Sequence, residues 1–430
     1  MTTVSAPVRQ EPVLATEAPR LRLEFLDGLR GMAALYVATS HAMLYYYIAT
    51  DNEKLFVNPI IRKILKLAYF TLLSFGHEAV VIFIVLSGYV LMLPIARTQD
   101  GHMPKGMWDY FKRRARRILP PYYAALLLVS LLLLIFPRMN MKFHSFWDLS
   151  VPVHTLPQII SHVFLVHNFS GEWQTKFDSP MWSIAVEWQI YFWFPLLLLP
   201  LWKRFGITVM ILFAWAFGLC GYYFHFGGTY SWLIGDFAFG VAAAIIGFWN
   251  APRTNALRKR FHWYKLAIVF GSLAYLFLVD QRRFVEHNPH LRLFVVTNWH
   301  LGKGCEFPID LLVGLAASCF IIGSTYHLQQ GLPDNQLLRF LHRREVIFLG
   351  TFSYSLYLIH VPCLAIMDKI GRILHLTGNL FTIELFLAGL PLCIVLAYLF
   401  HLVFERPFMP THLRKGQAKS LEQSLSESKS

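Results

Sequence analysis

Three polar residues fall on one face of the first long apolar stretch of the chain. Asp27 and Arg30 are three residues apart, and His41 follows Arg30 by eleven residues. At about 100° per residue, Arg30 and His41 point within about 20° of each other and lie about 16 Å apart along a helix axis. An imidazole titrates near neutral pH and suits general acid–base chemistry, whereas a guanidinium binds anions. The spacing predicts an imidazole and a guanidinium on one helix face, as candidates for acid–base chemistry and for anion binding.

Structural roles for these residues are the alternative. Arg30 is the only Lys or Arg inside the long apolar segments. A charge at the centre of a membrane helix costs about 2.5–3.5 kcal/mol, so Arg30 in a purely structural role would reach to the inner surface and pair with Asp27. His41 would then be a buried histidine that bonds to a neighbouring helix. The shared helix face favours the functional interpretation.

Three further polar residues are predicted to lie at the depth of His41. They are Glu187 in MWSIAVEWQIYFWF, His360 in SYSLYLIHVP and Glu78 in GHEAVVIFIVLSG. At 1.5 Å per residue, all four lie about 6 to 10 Å below the outer membrane boundary. We expect Glu187 to act in catalysis with His41, and we expect Asp27, Glu78 and His360 to line a polar cavity.

Four arginines lie within five positions in FKRRARRILPPYY, residues 111–123. Arg114 and Arg117 are i, i+3 neighbours if the third helix begins early, and Arg113 and Arg116 form the adjacent pair. Guanidinium groups bind phosphates through two parallel hydrogen bonds. We therefore expect Arg113, Arg114 and Arg117, with Arg30, to bind a phosphorylated donor from the cytoplasm. A positive anchor, or a patch for anionic lipid headgroups, is the alternative.

The composition indicates an integral membrane protein. Of 430 residues, 56% are hydrophobic and only 15% are charged, and the mean hydropathy is +0.46. Soluble domains carry about 25% charged residues. The net charge of +14 is attributed to basic cytoplasmic loops, so we expect no nucleic-acid partner. Five cysteines at irregular spacing argue against a disulfide framework and against a metal site.

About ten apolar segments are predicted to form a bundle of transmembrane helices, which makes this an all-α integral membrane protein. With both termini in the cytoplasm, Lys and Arg are more than twice as dense in the inner loops as in the outer loops. Residues 1–24 and 414–430 are polar and are expected to be disordered cytoplasmic tails that flank a membrane domain of residues 25–413. The predicted segments are 25–47, 74–96, 119–137, 180–201, 206–224, 231–250, 266–280, 308–326, 346–367 and 380–404.

Five segments together resemble the membrane acyltransferase family 3, whose members move acyl groups onto sugars of polysaccharides, peptidoglycan, antibiotics and glycolipids. They are LDGLRGMAALYVATSH (26–41), FIVLSGYVL (83–91), RRARRILPPY (113–122), MWSIAVEWQIYFWFPLLL (181–198) and FSYSLYLIHVP (352–362). The resemblance implies an acyl-coenzyme A donor, usually acetyl. It also implies that His41 and Arg30 are essential and that Arg114 and Arg117 serve the donor.

Two features depart from the family pattern. Many bacterial members carry a second acid where Trp188 follows Glu187 in this chain. An esterase-like domain is not expected after the last apolar segment, so a second transfer step would need another protein.

The sequence therefore predicts an O-acyltransferase in a membrane, most simply the bacterial inner membrane. It would move an acyl group from cytoplasmic acyl-coenzyme A, as co-substrate, to a carbohydrate or glycolipid hydroxyl on the other side. No permanently bound cofactor is expected, and the partners would be the two substrates and the lipid bilayer. A transporter of a glycolipid or small anion is one alternative, and an inactive family member that acts as a sensor or assembly partner is another.

Overall fold

The computed structural model describes residues 21–52, 67, 69–142, 145–153, 155–287, 306–376 and 378–409. Within these residues the chain forms helices and no strands, as the sequence predicts. The predicted C-terminal tail and most of the predicted N-terminal tail lie outside the described residues.

Fifteen α-helices run through the described part of the chain, and short π-helical and 3-10 turns connect several of them. The helices are α1 (Phe25–Asn52), α2 (Gly76–Thr98), α3 (Gly106–Ile135), α4 (Leu156–Val163), α5 (Met181–Trp193), α6 (Leu199–Tyr223), α7 (Leu233–Phe248), α8 (Pro252–Arg260), α9 (Trp263–His287), α10 (Glu306–Gln329), α11 (Gln336–Leu341), α12 (Arg344–Thr351), α13 (Ser353–Ile373), α14 (Gly378–Ile383) and α15 (Leu390–Phe400).

Several of these helices can cross a membrane. In the described residues, five helical runs are long and apolar enough, and the number is seven if the bent pairs α7–α8 and α12–α13 each count as one span. Ten spans and the cytoplasmic placement of both termini stay predictions. The first helix is not among the five runs, and it carries Asp27, Arg30, Ser40 and His41 along its length.

Several boundaries differ from the sequence prediction, and two of these differences concern helices that carry predicted site residues. The run Met181–Tyr223 has 43 residues, about twice the length that one membrane crossing needs, and its backbone leaves the helical region at Gly206. Helix α3 begins at Gly106, thirteen residues before the predicted segment 119–137. The arginine cluster is therefore helical throughout, and the condition that places Arg114 and Arg117 one turn apart is met.

Glycines set the closest helix contacts. A Cβ added at Gly240 of α7 would overlap the carbonyl oxygen of Val85, and one added at Gly88 of α2 would overlap that of Phe237. Small residues allow two membrane helices to approach backbone to backbone, and dispersion contacts and weak hydrogen bonds then stabilise the pair. The pair α2–α7 is therefore the most tightly packed crossing of the described bundle.

Helix α1 is held by a second set of glycine contacts. A Cβ at Gly28 would overlap the backbone of Leu341 in α11, and a Cβ at Gly350 in α12 would overlap the carbonyl oxygen of Asp27. Beyond α12 the chain bends by 73° into α13, which also packs on α1. These contacts fix the rotation of α1 and thus the direction in which Arg30 and His41 point.

We expect Gly240→Ala to destabilise the fold by about 1–3 kcal/mol, because the added methyl group overlaps the carbonyl oxygen of Val85. The matched control is Gly271→Ala, where the nearest side-chain atom, the Cβ of Ala316, is 3.9 Å away. Thermal unfolding of the detergent-purified variants measures both. Equal midpoints for the two variants would contradict the assignment of a tight α2–α7 crossing.

Candidate active site

Two histidines from distant parts of the sequence meet edge to edge. His41 Nδ1 on α1 lies 2.7 Å from His360 Nε2 on α13. The two ring planes are 5° apart and the ring centroids are 5.0 Å apart, as expected for coplanar rings that share one hydrogen bond. Sequence analysis placed both residues at one depth, and the structure brings them into direct contact.

The surroundings of His360 fix the hydrogen positions of the pair when both rings are neutral. His360 Nδ1 lies 2.8 Å from the carbonyl oxygen of Tyr357 and therefore donates, since a carbonyl only accepts. His360 Nε2 is then an acceptor, and His41 Nδ1 donates to it. The lone pair of His41 is left on Nε2, which makes no hydrogen bond within the described part of the chain. The arrangement presents one basic nitrogen in a fixed direction.

A separate cavity collects arginines from two helices. It holds about 880 Å³ of empty space, including the part that opens to its surroundings, and Arg30, Arg114 and Arg117 contribute to its wall. Glu187 from α5 and Glu405, just after α15, also line it. The wall of this cavity therefore combines three guanidinium groups with two carboxylates.

The four arginines of the cluster lie on two different sides of α3. Arg114 and Arg117 are partly buried and face the cavity, whereas Arg113 and Arg116 are exposed. Arg113 bonds to Asp109 at 3.0 Å and does not line the cavity. The sequence assignment of Arg113 to the donor site is therefore not supported by its position, because residues one position apart point about 100° apart on a helix.

Arg114 has unused hydrogen-bonding capacity in this wall. Its Nε is buried and has no acceptor among the described residues, while its guanidinium group lies 6.0 Å from the ring centroid of Tyr191. A buried donor without a partner costs about 1–3 kcal/mol, more when the group is charged. An anionic ligand in the cavity would supply the missing acceptor.

Both cavity carboxylates are held by neighbouring side chains. Glu187 Oε1 accepts hydrogen bonds from the hydroxyl groups of Ser87 and Tyr191. Glu405 Oε2 accepts from Ser355 at 2.6 Å and lies 2.9 Å from His401 Nδ1. The partner of His41 is thus His360, and Glu187 belongs to the arginine cavity instead.

Sequence analysis missed Glu405. Its only signal is an acidic residue that follows directly after the last predicted segment, which ends at 404. Position alone does not separate such a residue from an exposed helix end, yet Glu405 is 3% exposed.

The remaining predicted residues lie elsewhere. Asp27 is half exposed and lies 3.4 Å from Arg30, and neither Asp27, Glu78 nor His360 lines the arginine cavity. Glu78 lies instead beside a second polar cluster, in which His77 Nε2 is 3.0 Å from both carboxylate oxygens of Asp310. In that cluster Trp232 donates to Asp310 at 2.8 Å. Similar distances from helix ends thus did not place these side chains at one site.

A loop packs against the histidine pair. Phe146, which precedes α4, stacks on the His41 ring with centroids 4.8 Å apart. Farther along the chain, His162 in α4 and His167, four residues after that helix ends, are fully buried, and their rings stack with centroids 4.0 Å apart. Burial lowers the pKa of His162 to about 4.

Among the described residues, no group of three or more His, Cys, Asp or Glu side chains is arranged to hold a metal ion. The side chains brought together are an oriented imidazole and an arginine-lined cavity in a helical, apolar domain.

Comparison with known proteins agrees with this class of site. The acyltransferase 3 family, described as an acyltransferase domain, matches residues 23–402. The chain belongs to this family and contains an acyltransferase domain. Together with the apolar helices described above, membership of this membrane acyltransferase family makes the chain a multi-pass membrane protein.

Similar proteins include provisionally named O-acetyltransferases of Staphylococcus aureus strains COL, MSSA476 and MRSA252. Each is 23% identical over 369 residues, which cover 78% of this chain and 53% of the relative. The chain thus spans about half the length of these relatives. No solved structure gives a significant match.

Acidification should destabilise the fold through His162. Its pKa of about 4 lies below the ordinary value of 6.5, so between pH 6.5 and 4 the unfolded chain binds a proton that the folded chain does not. The contribution of the neutral His162 to the free energy of unfolding is therefore fully present above pH 6.5. It falls by at most about 3 kcal/mol as the pH drops to 4.

Thermal unfolding at pH 7.5 and pH 5 measures this effect, with His162→Gln as the comparison. The variant cannot take up the proton, so its midpoint should fall less on acidification than that of the unmodified chain. The same fall in both would exclude His162 as the titrating group.

Proposed function

We propose that the protein is a membrane O-acyltransferase that moves an acyl group, most simply acetyl, from acyl-coenzyme A to a hydroxyl of a carbohydrate. The observation that carries the proposal is the imidazole of His41, whose Nδ1 is bonded to His360 and whose Nε2 carries a free lone pair. The acyltransferase family and the names of the relatives support the reaction class.

The proposed donor site is the arginine cavity. Coenzyme A carries a diphosphate and a further phosphate, and Arg30, Arg114 and Arg117 supply three guanidinium groups in one wall. The unpartnered Nε of Arg114 supports an anionic ligand there. The pantetheine arm then extends from this cavity toward His41, which lies about 16 Å farther along α1 than Arg30.

The proposed base is His41 Nε2. It removes the proton of the acceptor hydroxyl while the hydroxyl oxygen attacks the thioester carbonyl. The carbon–sulfur bond then breaks, and the coenzyme A sulfur leaves as a thiol after it takes up a proton. As His41 gains its proton, the hydrogen bond to His360 becomes charge-assisted and strengthens, which stabilises the imidazolium. A transiently acylated His41 is the other form of this mechanism.

In the proposed topology, the donor and the acceptor lie on opposite sides of the membrane. With both termini in the cytoplasm of a bacterial inner membrane, the arginines lie toward the cytoplasm, where acyl-coenzyme A is made, and His41 lies in the outer half. The acceptor is then an extracytoplasmic or membrane-linked carbohydrate. Glu187 is held in the donor cavity, so its proposed role is to position the donor rather than the imidazole.

We expect His41→Ala to abolish transfer from labelled acetyl-coenzyme A to envelope glycans, because a positioned base contributes about 10²–10⁴-fold. The variant should stay extractable and monodisperse in detergent. His102→Ala, which removes an exposed histidine, is the control and should retain activity. Normal transfer by the His41 variant would remove the mechanism.

Arg114→Ala should raise the Kd for acetyl-coenzyme A by about 10- to 100-fold, since hydrogen bonds to charged groups are about twice as strong as neutral ones. Arg113→Ala is matched in helix and charge but lies outside the cavity, so it should have little effect. Titration calorimetry measures donor affinity, and the KM for the acceptor shows whether the loss is specific. Equal losses in the two variants would refute the assignment of the cavity to the donor.

A further inference from the structure

The arginine cavity ends one helical turn before the histidine pair. On α13, Ser353 and Tyr354 line the cavity together with Tyr357, which follows them at the three- to four-residue spacing of one helix face, and Gly350 lines it from the end of α12. The next position on this face is His360, which does not line it. The same face of α13 thus passes from the donor cavity directly to the proposed catalytic pair.

The side chain of Tyr357 lies at the boundary between the two. Its hydroxyl oxygen is 2.7 Å from Ser183 Oγ and 3.1 Å from the carbonyl oxygen of Pro180, at the start of α5. Its ring centroid is 5.8 Å from that of His360 and 6.0 Å from that of Phe83 on α2. Tyr357 therefore contacts both compartments and ties α13 to α5.

We propose that Tyr357 is the partition between the donor cavity and the histidine pair, and that it is a positioning residue for acyl transfer. This inference rests on the proposed function, because only a donor bound at the arginines needs a path to His41. Rotation of the Tyr357 side chain, with release of Ser183 and Pro180, opens that path. In its closed position the partition keeps the thioester away from water near the imidazole, which limits hydrolysis.

The experiment places a thiol where the donor must arrive. In the His41→Cys protein, the introduced thiolate attacks one sulfur of coenzyme A disulfide, so that a mixed disulfide forms and one coenzyme A thiol leaves. Mass spectrometry of the intact protein follows the rate of addition. The unmodified chain, treated in the same way, gives the background from its own cysteines.

Loss of the hydrogen bonds of the Tyr357 hydroxyl group should increase the rate of this labelling. Tyr357→Phe in the His41→Cys protein keeps the ring but loses both hydroxyl contacts, so we expect labelling about 2- to 10-fold faster. Ser183→Ala removes one of the same contacts from the other side and should act in the same direction. The control is Tyr89→Phe, which loses a buried 2.7 Å bond to Thr325 elsewhere and should change nothing.

A second reagent distinguishes opening of the partition from a general loosening of the helix packing around position 41. Methyl methanethiosulfonate is small and uncharged and does not need the arginine cavity, so its rate at the introduced thiol should be unaffected by Tyr357→Phe. Unchanged or slower labelling by coenzyme A disulfide in that variant would overturn the partition while leaving the donor route intact. An equal rise for both reagents would also overturn it. No labelling by coenzyme A disulfide in any variant would contradict both the partition and the proposed donor route.

Discussion

The hydrogen bond between His41 and His360 is the constraint from which the rest of the site follows. It joins residues 319 positions apart, so it exists only while α1 and α13 keep one rotation and one depth. The glycine contacts that seat α1 against α11 and α12 set that rotation, since any larger residue at Gly28 or Gly350 would push the backbones apart. A fixed imidazole direction is therefore a property of backbone packing far from the ring itself.

The charges of the cavity obey a different requirement. Three guanidinium groups in an apolar domain need compensation, and Glu187 and Glu405 supply two carboxylates that are anchored by hydroxyl groups and by His401. Asp27, which lies 3.4 Å from Arg30, supplies a third carboxylate outside the cavity, so the requirement that stays unmet among the described residues is the acceptor for the buried Nε of Arg114. A buried guanidinium donor without an acceptor favours an anionic ligand, because the anion would supply the missing acceptor.

The sequence predicted those parts of the site that depend on one helix at a time. The shared face of Arg30 and His41, and the one-turn spacing of Arg114 and Arg117, follow from the period of an α-helix, whereas the assignment of Arg113 to the same site did not take that period into account. Contacts between helices depend on axial rotation and crossing, which composition does not encode. The predicted depth of His360 was therefore informative, whereas Glu78 and Glu187, predicted at the same depth, lie in another polar cluster and in the arginine cavity. Glu405 and Tyr357 carry no pattern of their own, because each acquires its place only when the helix bearing it packs against the others.

In the proposed mechanism, the separation of the arginine cavity from the histidine pair limits hydrolysis of the donor thioester. A continuous channel from the arginines to the imidazole would expose a thioester to a base and to outer water whether or not an acceptor was present. Tyr357 lies where such a channel would pass, and its hydroxyl contacts are neutral hydrogen bonds of modest strength. In the proposed mechanism, a partition held by bonds of this kind closes the site at rest and opens when the arginines bind the phosphates of the donor. On α1, Ala34 and Val37 lie between Arg30 and His41 and are buried. The proposed path from the arginines to the imidazole therefore runs along α13 and α5.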